Sequence, residues 1–561
     1  MKHVLLTLGG CLTGLALAAQ TGAAADYAKI SQSAGNFNAN LSNQGKFGFV
    51  SASRDQRVYS GAPFSGNGEV HITDLNTDGT VASQSLLKAD DFEIFSGLSG
   101  AEFGTSTTTP GDLNADDKPD FLIGAPGAGE SGGLVLLLST GTGYNAEFLP
   151  LPESLLEIGA RWGDHLHFKD GTYFAGLASG TGKVVEFTIG NDFAIEVLNV
   201  FDQSNGELAG HLEEGDRFGT GISVYDIDGD GIDDILCGAP GDDDGGSNFG
   251  AVYQLYRNND GSIERTVKLS AASGGFNGFL NSDDGFGISI VPLGDLDQDG
   301  NPDIAVGAPG DDDGNIDVGA VWIIFLRADG TMKRQRKINL TNGNLEQSGL
   351  GLGDRFGTRI ASIGDINGDG TTDLAVGVPH DDDGGTDRGA FFTVMIEYCE
   401  IPVALFEYES NGPTVTFSIP GGEGFTYIWN FSDGNYSQAE NPTHTFASNG
   451  VYNVCLTING PCGGNFYCGN VTVTGAGALN TESTEAAAVE VFPNPATSFV
   501  RVKSPREMTA VTLRDLTGKE VWKRNVTGFT TEISVAGLPK GMYILSVRTA
   551  VGETASKVQV M

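Results

Sequence analysis

Four short stretches carry acidic side chains at a spacing that can hold a hard cation. Asp226, Asp228, Asp230 and Asp234 occupy positions 1, 3, 5 and 9 of the run Asp226-Ile-Asp-Gly-Asp-Gly-Ile-Asp-Asp234. Carboxylates at those offsets converge on one centre. Glycines at positions 4 and 6 permit the tight turn, and the carbonyl at position 7 completes an oxygen shell suited to calcium, which takes roughly six to eight oxygens. The spacing recurs at Asp295, Asp297, Asp299 and Asp303, at Asp365, Asn367, Asp369 and Asp373, and at Asp112, Asn114, Asp116 and Asp120. One such loop is weak evidence; four at matching offsets predict a cofactor set of about four Ca2+ ions.

A repeating frame must position these loops. Each is followed by a short apolar run ending in Gly-Ala-Pro or Gly-Val-Pro, as in Ile235-Leu-Cys-Gly-Ala-Pro240, and each is preceded by Phe-Gly, at Phe103, Phe218, Phe286 and Phe356. Two further units keep the frame without the loop: Phe47-Gly48 with Gly61-Ala-Pro63, and Trp162-Gly163 with Gly176-Leu-Ala178. The aromatic-Gly markers are spaced 56 to 70 residues apart, a period of stacked or radial repeats. One unit reads as four strands, with the acidic loop between the first and second. A four-stranded antiparallel meander is one propeller blade. The last unit lacks its fourth strand before the pattern changes. Lys29-Ile30 precedes Phe47 as Lys268-Leu269 precedes Phe286, so Tyr27–Ser31 is expected to complete that blade and remove an open edge.

These residues resemble the FG-GAP repeats of integrin α-type propellers, over residues 26–398. Integrin propellers have seven blades and six units are counted here, so both numbers stay open. After Gly-Ala-Pro or Gly-Val-Pro come Asp242-Asp-Asp244, Asp311-Asp-Asp313 and Asp381-Asp-Asp383. In a meander these triplets fall on the face opposite the acidic loops, where the resemblance places a ligand platform. They are either Asp/Gly turn residues or an electrostatic site for a cationic ligand, or for a carboxylated one bridged by metal.

From Cys399 to residue 474 the pattern shifts to period-2 alternation. Tyr427-Ile-Trp-Asn-Phe-Ser-Asp-Gly434 and Gly450-Val-Tyr-Asn-Val-Cys-Leu-Thr-Ile458 resemble a PKD domain, which implies an immunoglobulin-like sandwich with Trp429 in its core. Residues 475–488 lack periodicity and read as a linker. Residues 489–561, with Val491-Phe-Pro-Asn-Pro-Ala496 and Leu538-Pro-Lys-Gly-Met-Tyr543, are similar to the C-terminal sorting domain of type IX secretion, a small β-sandwich. That resemblance implies passage across the outer membrane, with the secretion machinery as a partner, and removal afterwards.

The fold class is therefore all-β: short apolar runs alternate with Gly, Asn and Asp clusters, and 83 glycines mark the turns. A net charge of −40 argues against nucleic acid or an anionic membrane as partner. Residues 1–25 read as a secretory signal cleaved near Ala25, with lipid attachment at Cys11 as the rival; no later stretch could span a membrane. Cys237 lies in a core strand as a free thiol. Cys399, Cys455, Cys462 and Cys468 imply two disulfides in one of three connectivities.

Catalytic constellations are poor. His165 and His167 share a strand face without a third metal ligand, and His380 has no Ser or Cys partner. His444 belongs to the PKD motif. Gly176 through Lys183 misses the phosphate-loop spacing by one residue. The chain is expected to be a secreted or cell-surface recognition protein, not an enzyme. Its protein or glycan ligand would sit on the propeller face opposite the calcium loops. The rivals are a polysaccharide- or ester-cleaving enzyme with its site in the propeller funnel, and a structural matrix component.

Overall fold

The structure is a computed structural model. It describes residues 20–560 apart from 55, 97–98, 157–158, 277, 401–403, 420–424, 461–462, 476–488, 495, 517 and 551. The expected leader up to residue 19, with Cys11, and nearly all of the expected linker lie outside the described residues. Residues 20–399 form one compact unit and 400–561 belong to another. Helix among the described residues is confined to three 3-10 turns.

The first unit is built from six four-stranded sheets. Blade 1 contains Phe49–Arg54, Arg57–Ala62, Glu69–Leu75 and Val81–Lys88. Blade 2 contains Thr107–Gly111, Asp120–Ala125, Gly133–Ser139 and Tyr144–Pro150. His165–Lys169, Thr172–Leu177, Lys183–Ile189 and Ile195–Phe201 make blade 3. Gly221–Tyr225, Asp234–Ala239, Ala251–Arg257 and Ile263–Ser270 make blade 4. Blade 5 is Ile290–Gly294, Asp303–Ala308, Ala320–Leu326 and Met332–Asn339. Blade 6 is Ile360–Gly364, Asp373–Val378 and Ala390–Glu400, and its fourth strand is Gln20–Ile30. The N-terminal strand thus completes the last sheet, starting earlier than Tyr27 in the full chain. The blade number is six.

Burial follows strand order. Second and third strands are covered on both faces by neighbouring blades, so Asp234–Ala239 and Ala320–Leu326 are buried at every position. Outer strands are half wet; Val81–Lys88 buries only Val81. This is why the second strands read as continuous apolar runs and the fourth as mixed ones.

The Phe-Gly and Gly-Ala-Pro markers are two halves of one inter-blade contact. The marker aromatics Phe47, Phe103, Trp162, Phe218, Phe286 and Phe356 are all fully buried. The glycine beside each lies against the glycine that is the penultimate residue of the preceding blade's second strand. A Cβ on Gly238 would stand 1.7 Å from the Gly287 carbonyl oxygen. One on Gly377 would stand 1.8 Å from that of Gly48, the contact that joins blade 6 to blade 1. The first strands touch their neighbours all the way round, and Ile360–Gly364 meets Phe49–Arg54.

In the second unit, Glu407–Asn411, Thr414–Ser418 and Thr443–Thr445 form one sheet. Tyr436–Ser437, Thr426–Asn430, Gly450–Gly460 and Gly463–Val473 form another. Trp429 is buried among Phe417, Phe431 and Leu456, and its Nε1–H donates to Ala439 O at 3.0 Å. Cys455 and Cys468 are disulfide-bonded; the side chains of Cys399 and Cys462 lie outside what is described. Cys237 is a buried free thiol. Residues 490–560 form a five-stranded antiparallel sheet around Val502, Leu513, Ile533 and Leu545.

Candidate functional site

All four acidic loops connect the first and second strands of their blades, so they share one face of the propeller. The position-9 carboxylate anchors each. Asp234 is buried, with Oδ2 accepting from Ile227 N–H (3.0 Å) and Oδ1 from Arg257 N–H (2.9 Å) at the end of the third strand. Asp303 does the same with Leu296 and Leu326, Asp373 with Ile366 and Ile396, and Asp120 with Leu113 and Ser139. The position-1 carboxylate folds the loop around itself as an Asx turn. Asp226 accepts from Gly229 and Gly231 N–H, and Asp295 from Asp299 and Gly300. Asp365 accepts from Gly368, Asp369 and Gly370, and Asp112 from Asp116 and Asp117. Position-5 residues Asp116, Asp230, Asp299 and Asp369 accept from the backbone N–H two residues on.

Positions 1, 3 and 9 come together. Donor oxygens of Asp226, Asp228 and Asp234 lie within 4.8 Å of one another, as do those of Asp295, Asp297 and Asp303. In the other two loops Asn114 and Asn367 take position 3 and leave two carboxylates there. Asp230 and Asp299 stand outside these clusters among the described residues. Burial, reinforced by neighbouring carboxylates, pushes Asp234 and Asp373 up to about 6 and Asp303 to about 7. A buried Asp297 oxygen has no hydrogen-bond partner. Hard oxygens held this close fit a divalent cation.

Basic side chains on the fourth strands, which the sequence pattern did not flag, lean over two of the loops. Lys333 Nζ lies 3.0 Å from Asp297 Oδ2 and 2.5 Å from Asp299 Oδ2, with Arg334 at 3.1 Å from Asp297. Arg265 stands 3.4 Å from Asp228.

On the opposite face the Asp triplets are turn elements, each offset in part by one lysine. Lys268 bridges Asp242 (2.7 Å) and Asp244 (2.6 Å). Lys337 bridges Asp311 and Asp313, the latter at 2.7 Å, and Lys29 bridges Asp381 (2.6 Å) and Asp383 (2.9 Å). The middle carboxylates of Asp243, Asp312 and Asp382 accept the backbone N–H five residues on. The first Asp of each triplet is buried in its turn and only its neighbours reach water, so the turn role is present and the acidic arc is reduced to those neighbours. That face instead carries exposed apolar side chains on its loops: Phe64, Leu156, Phe279, Ile316 and Leu352.

The histidines divide by environment. His444 Nε2 meets Asp433 at 2.7 Å and stacks on Phe431, a structural role in the sandwich. His380 lies 3.3 Å from Asp387. His165 and His167 sit on a first strand that lines the propeller axis.

Comparison with known proteins agrees with this architecture. The FG-GAP repeat family matches residues 103–138, 218–253, 286–324 and 356–393, the four units that carry the loop. A PKD domain matches 409–475 and a secretion system C-terminal sorting domain matches 490–561. Human integrin alpha-11 is 32% identical over 324 residues, covering 54% of this chain and 25% of the relative. Integrin alpha-PS5 of Drosophila melanogaster is 29% identical over 282 residues, covering 47% and 26%. The chain spans about a quarter of the length of these relatives. The PKD1 domain of Vibrio anguillarum Epp aligns at 29% identity over 13% of this chain and 94% of that one, with a TM-score of 0.12. The chain carries integrin-alpha-like FG-GAP repeats, a PKD domain and a sorting domain for type IX secretion, which takes it to the outer membrane or cell surface. Among the described residues no helix is long and apolar enough to cross a membrane.

Proposed function

We propose that this exported chain is a calcium-stabilised recognition module, acting in adhesion by binding and not by catalysis. About four Ca2+ ions would occupy the loops at Asp112–Asp120, Asp226–Asp234, Asp295–Asp303 and Asp365–Asp373. Each ion would take carboxylate and carbonyl oxygens already drawn into a turn, relieve their repulsion and stiffen the hairpin. The protein or glycan ligand would bind the opposite face.

The division of labour between the two faces carries this reading. Acidic hairpins fill one face, while Phe279, Ile316 and Leu352, at 81%, 62% and 63% exposure, stand on loops of the other. Strongly exposed apolar side chains on the loops of that face would supply the contact area for a ligand. The ions would sit too far from that face to touch a ligand and would act by holding the blades. The sorting domain would engage the secretion machinery and take no part in binding.

The test is a protein and glycan array probed with the exported chain, with calcium and with chelator. Binding that needs calcium and weakens in a Phe279→Ser, Ile316→Ser double variant supports the reading. Turnover of a polysaccharide by the same preparation, or no retained ligand on any array, overturns it.

A further inference from the structure

The six first strands enclose an axial cavity of about 330 Å3. Five blades line it with Ser or Thr hydroxyls, and the third contributes His165 and His167. Its one full positive charge is Arg359, 7% exposed, immediately before the first strand of blade 6. That guanidinium is poorly matched by the protein. It donates to two backbone carbonyls, Thr358 O at 3.2 Å and Asp164 O at 3.4 Å, and lies 5.3 Å from the Phe49 ring centre. Among the described residues no carboxylate reaches ion-pair distance of it. Three of its five N–H directions therefore have no protein acceptor. Burial, only partly offset by the Asp164 charge, pulls Arg359 down to about 10.

Three residues of the wall also carry an unpartnered polar atom shielded from solvent: Thr107 Oγ1, Ser51 Oγ and His165 Nε2. Thr107 is 1% exposed and His165 8%. Burial and the charges of Arg359 and Arg161 keep His165 neutral near pH 7, so it can share a hydrogen bond without competing for an anion. An uncompensated buried charge beside several unsatisfied donors is costly in an empty fold and is expected where a ligand supplies the missing partners.

We propose that the axial channel binds a carboxylate-bearing sugar residue, a hexuronate, with the carboxylate on Arg359 and the ring hydroxyls against the Ser, Thr and His side chains of the wall. A guanidinium pairs a carboxylate through two parallel N–H···O bonds. A hydroxyl-lined wall suits a polyol better than an acidic peptide side chain, and the cavity is at the small end of ligand pockets. Arg359 and His165 open their strands, so they sit at the end of the channel away from the acidic loops. The inference thus deepens the recognition reading and rests on it for the face involved.

The test is calorimetric titration of the full chain, calcium present, with galacturonate, glucuronate, galactose, sulfate and an acidic dipeptide. A hexuronate should bind, and galactose at least about tenfold more weakly, a loss of about 1.4 kcal/mol. Arg359→Met should abolish hexuronate binding while leaving the ligand-free melting temperature equal or higher, since it removes an unpaired buried charge. Arg359→Lys and Thr107→Val should each weaken binding with the fold intact by circular dichroism. Equal binding of galactose, binding of sulfate or the dipeptide alone, no binding of any probe, or hexuronate binding unchanged in Arg359→Met overturns the proposal. Array ligands retained by Arg359→Met would leave the recognition reading standing while the channel site falls.

Discussion

The Lys29 ammonium lies 2.6 Å from Asp381 Oδ2, joining the N-terminal strand to the turn that follows the second strand of blade 6. Lys268 with Asp242 and Lys337 with Asp311 make the same pairing inside blades 4 and 5. Only in blade 6 does the pairing bring distant ends of the propeller sequence together, so this ion pair guards ring closure.

Replacing Lys29 with Met should therefore cost more than losing one surface charge. Asp381 is 1% exposed and would be left unpaired, a loss of about 3–5 kcal/mol. The paired change Lys29→Met with Asp381→Asn should recover much of it. Urea unfolding of the three variants measures both effects. Equal stability of wild type and Lys29→Met would show that the strand closes the ring by backbone pairing alone.

Removing divalent cations should lower the melting temperature of the exported chain by several degrees. Each site filled at a hundred times its dissociation constant contributes about 2.7 kcal/mol. Asp234→Asn should reduce the calcium count by one in equilibrium dialysis. It should also weaken the apo fold, because Asp234 holds Ile227 and Arg257 amides whether or not an ion is present. A melt indifferent to chelator would remove the structural role assigned to the ions.

Asp284 offers a pH-dependent test away from the loops. It is fully buried, and burial with the nearby Asp311 charge pushes its carboxyl up to about 7. One oxygen accepts from Asn281 N–H and the other has no partner. A carboxyl raised in the native state binds its proton more tightly there than in the unfolded chain. Its penalty is thus full above pH 7 and is relieved as pH falls towards 4. Asp284→Asn should gain about 2 kcal/mol at pH 8 and little at pH 5, with the new amide donating towards Asp311. Melting curves at the two pH values decide the sign; a gain that is larger at pH 5 would refute it.

Which features were legible depended on how far apart the interacting residues lie in the chain. The acidic loops, the Phe-Gly and Gly-Ala-Pro markers and the missing fourth strand of blade 6 are local patterns, so they could be read directly. Even the closing strand was visible, because Lys29-Ile30 repeats Lys268-Leu269. The blade count settled at six once Gly377 was seen against Gly48. What stayed hidden was compensation between strands. Asp242 and Asp244 look like bare charge until Lys268 folds beside them, and Asp297 looks like a free ligand until Lys333 and Arg334 reach it. The isolation of Arg359 is also a property of the closed ring, since its neighbours Phe49 and Asp164 come from other blades.

The inter-blade glycine contact should tolerate no side chain at all. At Gly377 an added methyl would meet the Gly48 carbonyl oxygen at 1.8 Å, backbone against backbone, with no flexible group to yield. Gly377→Ala should open the blade 6 to blade 1 seam at a cost of about 3 kcal/mol. It should raise amide exchange in Gln20–Ile30 before that of blade 3. Gly171, where a Cβ would meet nothing within 4 Å, is the control, although its positive φ of 89° carries a backbone strain of about 1 kcal/mol.

Lys333 occupies the space that a cation would share in the blade 5 loop, so its removal should separate the metal-free and metal-bound states. Without metal, its ammonium bridges Asp297 and Asp299, and Lys333→Met should lower the melting temperature in chelator. With calcium the lysine is a competitor, because the ion needs the Asp297 oxygens that Lys333 holds and repels a neighbouring positive charge. The same variant should then bind the blade 5 ion several-fold more tightly and lose little or no stability in calcium. A loss confined to the chelator condition, with tighter calcium binding, read from paired melts and calcium titrations, would mark Lys333 as a built-in stand-in for the ion. The same loss in both would show that the ion does not use the Asp297 carboxylate.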